Sequence, residues 1–342
     1  MGHGRQMTRF EHTVRLFEGF DRGLVLDAAV GTGRTTRRLR EIGYEVVGAD
    51  IGARPLTDIG VPTFVADLNA DMPFADRVFD CVCTQNTVEY LEDQFHFLRE
   101  CNRVLKPGGR IVLETPNVLG LRHRLLAFLT GFPLHPHPFR EEGQSFGKNR
   151  ANLKTYFQLR WMLHKCGFRL ETCSVPDYSN QALFLAPAWL PLAFCSWWSF
   201  RGERDPAQRA VRRDALRTAL SADLVFGRQL FLVALKVAEC PRTYNKRHAP
   251  AAPTAALSED VNPACDVVAE DGTSMAKDER SVQPLVERVA ACPACGGSPL
   301  EFRASPSPAY RCSACERHYA FREGSVFALV DEAQTRRGSG LR

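Results

Sequence analysis

Four cysteines in the last fifth of the sequence are spaced for metal binding. Cys292 and Cys295 form one Cys-x2-Cys pair, and Cys312 and Cys315 form a second pair after sixteen intervening residues. Two thiolates on each of two tight turns make up the ligand set of a closed tetrahedral zinc site. The spacing therefore predicts a structural zinc ion, and a unit this small would draw much of its folding free energy from the metal.

A second group of candidate residues lies at a glycine-bearing turn. The apolar run 24–28 leads into Ala29, Gly31 and Gly33, and helix-period sequence follows. Glycines let a backbone approach a ligand closely, and a helix N-terminus offers unpaired N–H groups. A second strand-like run ends at Asp50, about 20 residues after the turn, where a carboxylate can accept both hydroxyls of a ribose.

Further polar residues follow the next strand-like runs. The run from residue 63 ends at Asp67, which is placed to meet an adenine amino group, and the run from residue 79 leads to Asn86. A fifth strand, 110–114, is followed by the sequence Thr-Pro-Asn at 115–117. In an open doubly wound sheet the carboxyl ends of the strands face one crevice, where ligands bind.

These residues must be positioned by two folded units. Over residues 1–240, β-branched runs alternate with helix-period segments, which predicts βαβ units and a parallel α/β sheet. Residues 241–284 are rich in alanine, proline and acidic residues and predict a flexible linker. Residues 285–333 hold the cysteine pairs and predict a small β-rich zinc ribbon, and residues 334–342 predict a disordered tail.

Composition limits the class of protein. The chain has 342 residues, 44% of them hydrophobic, which is enough for one full core and a second unit. The net charge is only +5 and is spread along the chain, so nucleic acid is disfavoured as a partner. The first twenty residues contain no apolar signal sequence, which predicts a cytoplasmic protein in which most of the remaining eight cysteines are buried thiols.

The ordered series of motifs closely resembles class I S-adenosylmethionine (SAM)-dependent methyltransferases, and above all the bacterial group that includes the ubiquinone O-methyltransferases. The resemblance covers roughly residues 20–238 and implies a Rossmann-like, seven-stranded α/β sheet. It rests on these motifs: Asp27-x-Ala29-x-Gly31-x-Gly33, Asp50, Asp67-Leu68, Glu89-Tyr90-Leu91, Leu105-Lys106-Pro107-Gly108-Gly109 and Thr115-Pro116-Asn117.

The resemblance also implies how the cofactor is held. The residues implied in SAM binding are Asp27, Ala29, Gly31 and Gly33 around the methionine part, Asp50 at the ribose with Ile51 beside it, Asp67 and Leu68 at the adenine, and Asn86 near the sulfonium. Ala29 replaces the usual first glycine, which is tolerable if its φ is negative. A nicotinamide cofactor is the alternative on this fold, but the Lys-Pro-Gly-Gly and Thr-Pro-Asn motifs argue against it.

The sequence restricts the chemical class of the methyl acceptor but does not identify the acceptor itself. No Asn/Asp-Pro-Pro-Tyr follows the fourth strand, which disfavours transfer to an amide or base nitrogen and favours O-methylation of a small-molecule, glycan or lipid-linked acceptor. No catalytic base is assigned, although Glu89, Tyr90, His135 and His137 are candidates. A tRNA or protein methyltransferase and a non-catalytic SAM-binding scaffold remain alternatives.

The sequence predicts a sixth strand at about 168–175 and a seventh at about 229–237. The insertion between them is almost wholly apolar over residues 182–198 and is followed by a basic stretch, 201–213. Its two prolines and its place inside the domain argue against a membrane span. Peripheral contact with a membrane or an acyl-chain acceptor is one interpretation. The alternative interpretations are that the insertion forms a lid over the substrate or a contact face between two copies of the chain.

The stretch 292–333 resembles the zinc-ribbon family of tRNA-methyltransferase activator subunits. Members of that family dock on methyltransferases as separate subunits in eukaryotes, so the resemblance implies that catalyst and activator are fused in this chain. It predicts an intramolecular contact in which the module covers an apolar face of the methyltransferase domain and extends its sheet edge.

Overall fold

A computed structural model describes two parts of the chain. The first part comprises residues 8–52, 61–131, 152–178, 184–199, 201–202 and 204–240, and the second comprises residues 285, 288–292, 300–303, 309–315, 318–320, 326–327 and 330–331. The predicted linker, 241–284, and the predicted tail, 334–342, lie outside the described residues.

Seven strands of the first part form one mixed sheet. They are β1 (Leu24–Ala28), β2 (Glu45–Asp50), β3 (Thr63–Val65), β4 (Phe79–Gln85), β5 (Leu105–Pro116), β6 (Phe168–Ser174) and β7 (Gln229–Lys236). Their order is β3-β2-β1-β4-β5-β7-β6, with β7 antiparallel to both of its neighbours and the first five strands parallel. The predicted Rossmann-like, seven-stranded α/β sheet is confirmed.

Eight α-helices are described around this sheet. They are α1 (Arg9–Glu18), α2 (Arg34–Glu41), α3 (Gln94–Val104), α4 (Leu121–Thr130), α5 (Tyr156–Lys165), α6 (Trp189–Ser199), α7 (Pro206–Ala219) and α8 (Ala222–Phe226). Both α1 and α5 begin with a capping box, in which a threonine side chain and the residue three positions on satisfy each other's backbone N–H groups. Among the helices described, none is both long enough and apolar enough to cross a membrane.

The sheet differs from the sequence expectation at β5. The fifth strand was predicted to begin at residue 110, after the Lys-Pro-Gly-Gly segment, whereas β5 already begins at Leu105, which pairs with Phe79 of β4. The register then shifts between Phe79 and Cys81, and Gly108 takes a positive φ of 76° in the shifted segment. The glycine accommodates this irregularity because it has no Cβ to clash in the left-handed region.

The core lies on both faces of the sheet. All five residues of β1 are buried, and successive side chains of a strand point to opposite faces. Leu26 packs in the larger hydrophobic cluster, and Val25 packs in a second cluster with Phe17 of α1 and Leu39 of α2. Burial on both sides explains why the strands read as continuous apolar runs without alternation.

The second part of the chain lies against the edge of the sheet. Four short strands, β8 (Leu300–Arg303), β9 (Ala309–Cys312), β10 (His318–Ala320) and β12 (Val330–Asp331), form an antiparallel sheet in the order β12-β10-β9-β8. A further strand, β11 (Val326–Phe327), pairs in parallel with β3 and becomes the eighth strand of the large sheet.

Backbone and side-chain contacts accompany this pairing. The Ala75 N–H donates to the Val289 carbonyl at 2.8 Å, and the Ala291 N–H donates to the Pro73 carbonyl at 3.1 Å. Val289 is fully buried in the same hydrophobic cluster as Phe74. The two parts therefore share one apolar core in this structure.

Candidate functional site

The strand registers bring the predicted cofactor residues to one edge of the sheet. Ala28 is level with Ala49 of β2 on one side and with Thr84 of β4 on the other. Ala29, Asp50 and Asn86 each come one or two residues later in their strands' direction, and neighbouring strands lie about 4.8 Å apart. The three residues therefore line one crevice at the carboxyl ends of β1, β2 and β4.

The turn after β1 has an unusual backbone. Three of its residues have positive φ angles: 72° at Ala29, 56° at Gly31 and 69° at Gly33. The value at Ala29 overturns the expectation of a negative φ, because the Ala29 and Val30 N–H groups both donate to the Ala49 carbonyl, at 2.7 and 3.2 Å, and hold the turn against β2. An alanine in the left-handed region lowers the free energy of unfolding by about 1–2 kcal/mol.

Gly48 of β2 makes this close approach feasible. A Cβ at this position would lie 2.6 Å from Val30 Cγ2 and 2.9 Å from Thr63 Oγ1, both well inside contact distance. Gly31, in contrast, faces open space, since a Cβ built there would meet no heavy atom within 4 Å. The turn is therefore packed on its sheet side and open on its crevice side.

The Asp50 carboxylate is oriented by two backbone donors. The Gly31 N–H donates to its Oδ2 at 2.9 Å, and the Gly52 N–H donates to its Oδ1 at 2.9 Å. A carboxylate has about four acceptor positions, so each oxygen keeps capacity for one more donor. Ile51 follows it with 72% of its surface exposed, an apolar side chain at the mouth of the crevice.

Asp67 and Leu68 lie just beyond β3, and their side chains diverge. Asp67 is exposed, and its Oδ1 accepts from the Asn69 backbone N–H at 2.9 Å and from Asn69 Nδ2 at 3.0 Å. The Leu68 side chain is buried in the larger hydrophobic cluster. Only Asp67 can therefore offer a side chain to a ligand here, while Leu68 can offer its backbone.

Asp27 is a buried acid beneath the turn. It is 3% exposed, and its Oδ2 accepts a hydrogen bond from the Thr36 hydroxyl of α2 at 2.5 Å. The pKa of Asp27 is raised to about 6, chiefly by burial and to a smaller extent by the negative charge of Asp50, against the hydrogen bond from Thr36, which lowers it. Asp27 therefore supports the turn from below and does not reach its open side.

A group of polar side chains occupies the ends of β4 and β5. Asn86, with a φ of 47°, donates from Nδ2 to Glu114 Oε1 at 3.0 Å, and its own Oδ1 is buried without a hydrogen-bond partner among the described residues. Glu89, in the turn Val88–Tyr90, accepts from the Thr115 hydroxyl at 3.2 Å. Burial is the main cause that raises the pKa of Glu114, and Glu89 raises it further.

Helix α1 covers this polar group, which the sequence analysis did not anticipate. Arg9 Nη1 lies 3.5 Å from Glu114 Oε1, Thr13 accepts from Gln85 Nε2 at 2.6 Å, and His12 Nε2 lies 2.8 Å from the Ser174 hydroxyl. The capping sequence from Thr8 to Glu11 was the available signal for the helix. Glu114 could have been noticed as a lone acid inside an apolar strand.

Three of the four predicted zinc ligands converge. The Sγ atoms of Cys292, Cys312 and Cys315 all lie within 4.8 Å of one another, and Cys292 and Cys315 are separated by 3.6 Å. Cys292 and Cys312 are buried. Converging thiols of this kind fit a tetrahedral zinc ion. Cys295 lies outside the described residues, as do the candidate bases His135 and His137.

Comparison with known proteins gives the site a context. Residues 26–113, which span β1 to most of β5 and include Asp27, Asp50, Asp67 and Asn86, match the methyltransferase domain family. The chain carries a methyltransferase domain. This family supports SAM as the cofactor of the domain, and the strand order described above agrees with a class I methyltransferase sheet.

Relatives of the methyltransferase domain include enzymes named for small-molecule acceptors. The malonyl-[acyl-carrier protein] O-methyltransferase 1 of Coxiella burnetii is 34% identical over 117 residues, which cover 34% of this chain and 41% of the relative. The ubiquinone biosynthesis O-methyltransferase of Proteus mirabilis is 30% identical over 103 residues, which cover 27% of this chain and 42% of the relative. The chain thus spans less than half the length of the curated relatives it matches.

A solved structure is also similar to the domain. A SAM-dependent methyltransferase of Archaeoglobus fulgidus is 20% identical to this chain, with a TM-score of 0.40, and the match covers 67% of this chain and 91% of that one.

Proposed function

We propose that the protein transfers a methyl group from SAM to an oxygen of a small-molecule, glycan or lipid-linked acceptor. The observation that carries the proposal is the Asp50 carboxylate, which two backbone N–H groups hold at the crevice with acceptor capacity left for two hydroxyls. A ribose presents two adjacent hydroxyls of this kind. The methyltransferase domain supplies the reaction class, and the names of the relatives favour an oxygen acceptor.

The remaining cofactor residues fit SAM in the same crevice. SAM, when bound, supplies an intrinsically reactive methyl group on a positive sulfonium. Asp67 would accept from the adenine amino group, and the exposed Ile51 would cover the adenine face. The buried Asn86 Oδ1 would turn its partial negative charge toward the sulfonium.

The polar group at the ends of β4 and β5 would bind the acceptor. Methyl transfer requires an acceptor oxygen that has lost its proton, and a nearby carboxylate can take it. Glu114 is our candidate for this base, because its raised pKa gives the carboxylate a greater affinity for a proton than an exposed glutamate has. Arg9 and Asn86 hold its Oε1 in place.

We further propose that the second part of the chain is a zinc-binding module that stabilises the methyltransferase domain. Cys292, Cys295, Cys312 and Cys315 would hold the ion, and the pairing of β11 with β3 would extend the sheet edge. The shared core around Phe74 and Val289 supports a stabilising role.

The first experiment is calorimetric titration of SAM into the zinc-replete protein and into an Asp50→Ala variant. We expect micromolar binding that weakens at least a hundredfold in the variant, because two charge-assisted hydrogen bonds to the ribose are lost. Asp80→Ala is the matched control. Its carboxylate also accepts a backbone N–H, that of Leu24, but lies at the opposite edge of the sheet.

Each outcome distinguishes the candidate functions. Equal loss in Asp50→Ala and Asp80→Ala would mean that the first variant had disturbed the fold, and binding of NAD in place of SAM would refute the proposal. Incubation with methyl-labelled SAM and candidate acceptors then separates an enzyme from a SAM-binding scaffold. Labelled tRNA or protein in place of a small molecule would support the alternative substrate classes.

Replacement of Glu114 by glutamine tests the acceptor chemistry. We expect Glu114→Gln to bind SAM as the unaltered protein does and to lose at least a hundredfold in methyl transfer, together with the acidic limb of the pH–rate profile. An unchanged rate and profile would remove Glu114 from the reaction.

A further inference from the structure

Helix α6 is apolar on every side and yet is only partly covered by the described chain. Its eleven residues, Trp189–Ser199, contain no charged side chain, and none of those whose exposure is described is buried. Its most exposed members are Leu190, Phe194 and Trp198, at 70%, 58% and 61%. An α-helix that is hydrophobic all round normally lies inside a protein core or in a membrane.

The length of α6 restricts how it could enter a lipid bilayer. At 1.5 Å per residue, eleven residues extend about 16 Å, roughly half of the hydrocarbon thickness of a bilayer. The helix can therefore be accommodated within one leaflet. Apolar stretches of this length are typical of interfacial segments when they are not part of a core.

The residues that follow α6 carry the charge that a lipid surface would attract. Residues 201–217 contain six arginines and three acidic residues. The Arg201 guanidinium lies over the rings of both Trp197 and Trp198, 4.5 and 5.1 Å from their centroids. A tryptophan with a stacked arginine combines an apolar body with a cationic head, the arrangement favoured at the boundary between acyl chains and headgroups. Arg209 and Arg213, in the exposed segment 206–214 of α7, add further positive charge.

The attachment of α6 places this surface near the crevice edge. Trp189 Nε1 donates to the Leu220 carbonyl at 3.3 Å, just before α8. Asn117, directly after the carboxyl end of β5, donates from Nδ2 to the Leu224 and Gly227 carbonyls at 2.8 and 2.9 Å and fixes α8 there. The apolar helix is thus tied to the same edge of the sheet as the cofactor residues.

We propose that α6 and the basic stretch 201–217 dock the protein on the surface of an anionic lipid bilayer, with α6 within one leaflet and the arginines at the headgroups. Apolar burial supplies the main attraction, and the arginines supply selectivity for anionic lipids. A flat contact between two copies would cover only one side of α6, whereas a leaflet surrounds the helix on several sides. The docking does not require SAM, so it stands or falls separately from the proposed reaction.

Binding of the full-length, zinc-replete protein to vesicles tests this proposal. Vesicles of neutral phosphatidylcholine are compared with vesicles that contain about one third phosphatidylglycerol, by flotation and by quenching of tryptophan fluorescence with brominated lipid. We expect binding that is at least tenfold stronger to the anionic vesicles and that weakens in high salt. Quenching would place the tryptophans among the acyl chains.

Three variants separate the contributions. Trp197→Ser/Trp198→Ser should lose at least tenfold in binding to both vesicle types, and Arg209→Glu/Arg213→Glu should lose only the preference for anionic lipid. Trp161→Ser is the matched control, since Trp161 of α5 is 54% exposed, packs edge-on against Phe95 of α3 and belongs to neither α6 nor the stretch 201–217. Absence of binding to either vesicle type would overturn the proposal, as would an equal loss in the Trp161 variant. A dimer that the Trp197/Trp198 variant dissociates, without vesicle binding, would instead identify a contact between two copies.

Discussion

Ala29 and Asp27 show, at the scale of single residues, that the turn after β1 is held under strain. Ala29 has a φ of 72°, and Asp27 is a buried carboxyl beneath it. The left-handed backbone of Ala29 and the burial of Asp27 each lower the free energy of unfolding. Specific hydrogen bonds partly offset both effects: the Ala29 N–H donates to the Ala49 carbonyl, and the Thr36 hydroxyl donates to Asp27. Strain that the surroundings enforce is common at ligand-binding sites.

Replacement of Ala29 by glycine should stabilise the protein. Glycine removes the left-handed penalty of about 1–2 kcal/mol but adds about 0.4–1 kcal/mol of unfolded-state entropy, so we expect a net gain of roughly 0.5–1 kcal/mol. Ala29→Val should instead destabilise, since a β-branched residue fits this region poorly. Denaturant unfolding of the three proteins measures both effects, and a glycine variant less stable than the unaltered protein would contradict the assignment of strain.

Asp27 should make stability fall as the pH rises. Its folded-state pKa of about 6 lies above the ordinary aspartate value of 3.8, so the folded state binds the proton more tightly than the unfolded state does. Protonated Asp27 contributes roughly 3 kcal/mol to the free energy of unfolding. This contribution is fully present below pH 4 and is lost as the pH rises through 6. The difference in free energy of unfolding between Asp27→Asn and the unaltered protein should therefore grow in favour of the variant between pH 5 and pH 7.5.

A second variant checks the cause of this pH dependence. Thr36→Val removes the hydrogen bond that lowers the pKa of Asp27, so the decline in stability should continue to higher pH in that protein. If the difference between Asp27→Asn and the unaltered protein stays constant from pH 5 to pH 7.5, the carboxyl is not titrating in this range.

Single residues mark the limit of what the sequence predicts about the site. Asp50 ends β2 and Asp67 comes two residues after β3, so the strand-like runs were enough to predict that both residues lie at the carboxyl edge of the sheet. The φ of Ala29 could not be predicted, since it follows from two hydrogen bonds to β2. The role of Glu114 could not be predicted either, because its contacts with Arg9 and Asn86 depend on tertiary packing.

At the scale of elements, Gly48 shows that the position of the turn after β1 also depends on tertiary packing. The strand β2 accepts the turn after β1 only because residue 48 has no Cβ that would meet Val30 and Thr63. The apolar run and its terminal aspartate were enough to predict β2, and the prediction of β6 near 168–175 and β7 near 229–237 is confirmed to within a residue. The packing of α1 over the strand ends could not be predicted, because it depends on contacts between residues that are far apart in the sequence.

Replacement of Gly48 by alanine should disturb both the turn and the cofactor site. We expect a loss of about 1–3 kcal/mol in the free energy of unfolding, because overpacking forces Val30 and the turn away from β2. SAM affinity should fall with it, since Gly31 in that turn orients Asp50.

A double variant isolates the clash as the cause. Val30→Ala removes the methyl group nearest the added Cβ, so Gly48→Ala/Val30→Ala should be less destabilised than the sum of the two single variants predicts. Strict additivity of the two changes in unfolding free energy would show that the turn does not press on β2 at this point.

The two parts of the chain share one hydrophobic core at the scale of the whole molecule. Cys312 and Val289 belong to the cluster that also contains Phe64 and Phe74 of the methyltransferase domain. The cysteine spacing was sufficient to suggest a metal, and Cys292, Cys312 and Cys315 do converge. Which surface the module covers could not be read from the spacing, because it depends on the pairing of β11 with β3.

Loss of the proposed zinc ion should therefore destabilise the whole protein. We expect Cys312→Ser, or removal of zinc by a chelator, to lower the melting temperature in a single transition, because the module and the domain unfold together. Cys195→Ser, at an exposed cysteine of α6, is the control and should leave the melting temperature unchanged. Two separate transitions, with the methyltransferase domain melting at its original temperature, would contradict the shared core.

The pairing of β11 with β3 also has a consequence for how the chain is synthesised. Roughly 260 residues separate the two strands, and a ribosome that adds about 5–20 residues per second needs tens of seconds to translate that distance. Throughout that interval β3 is the outer strand of a nascent sheet, with backbone groups open to pairing with another chain. Folding during translation therefore leaves this edge exposed until β11 emerges, which makes chaperone supply and translation rate determinants of the yield of intact protein.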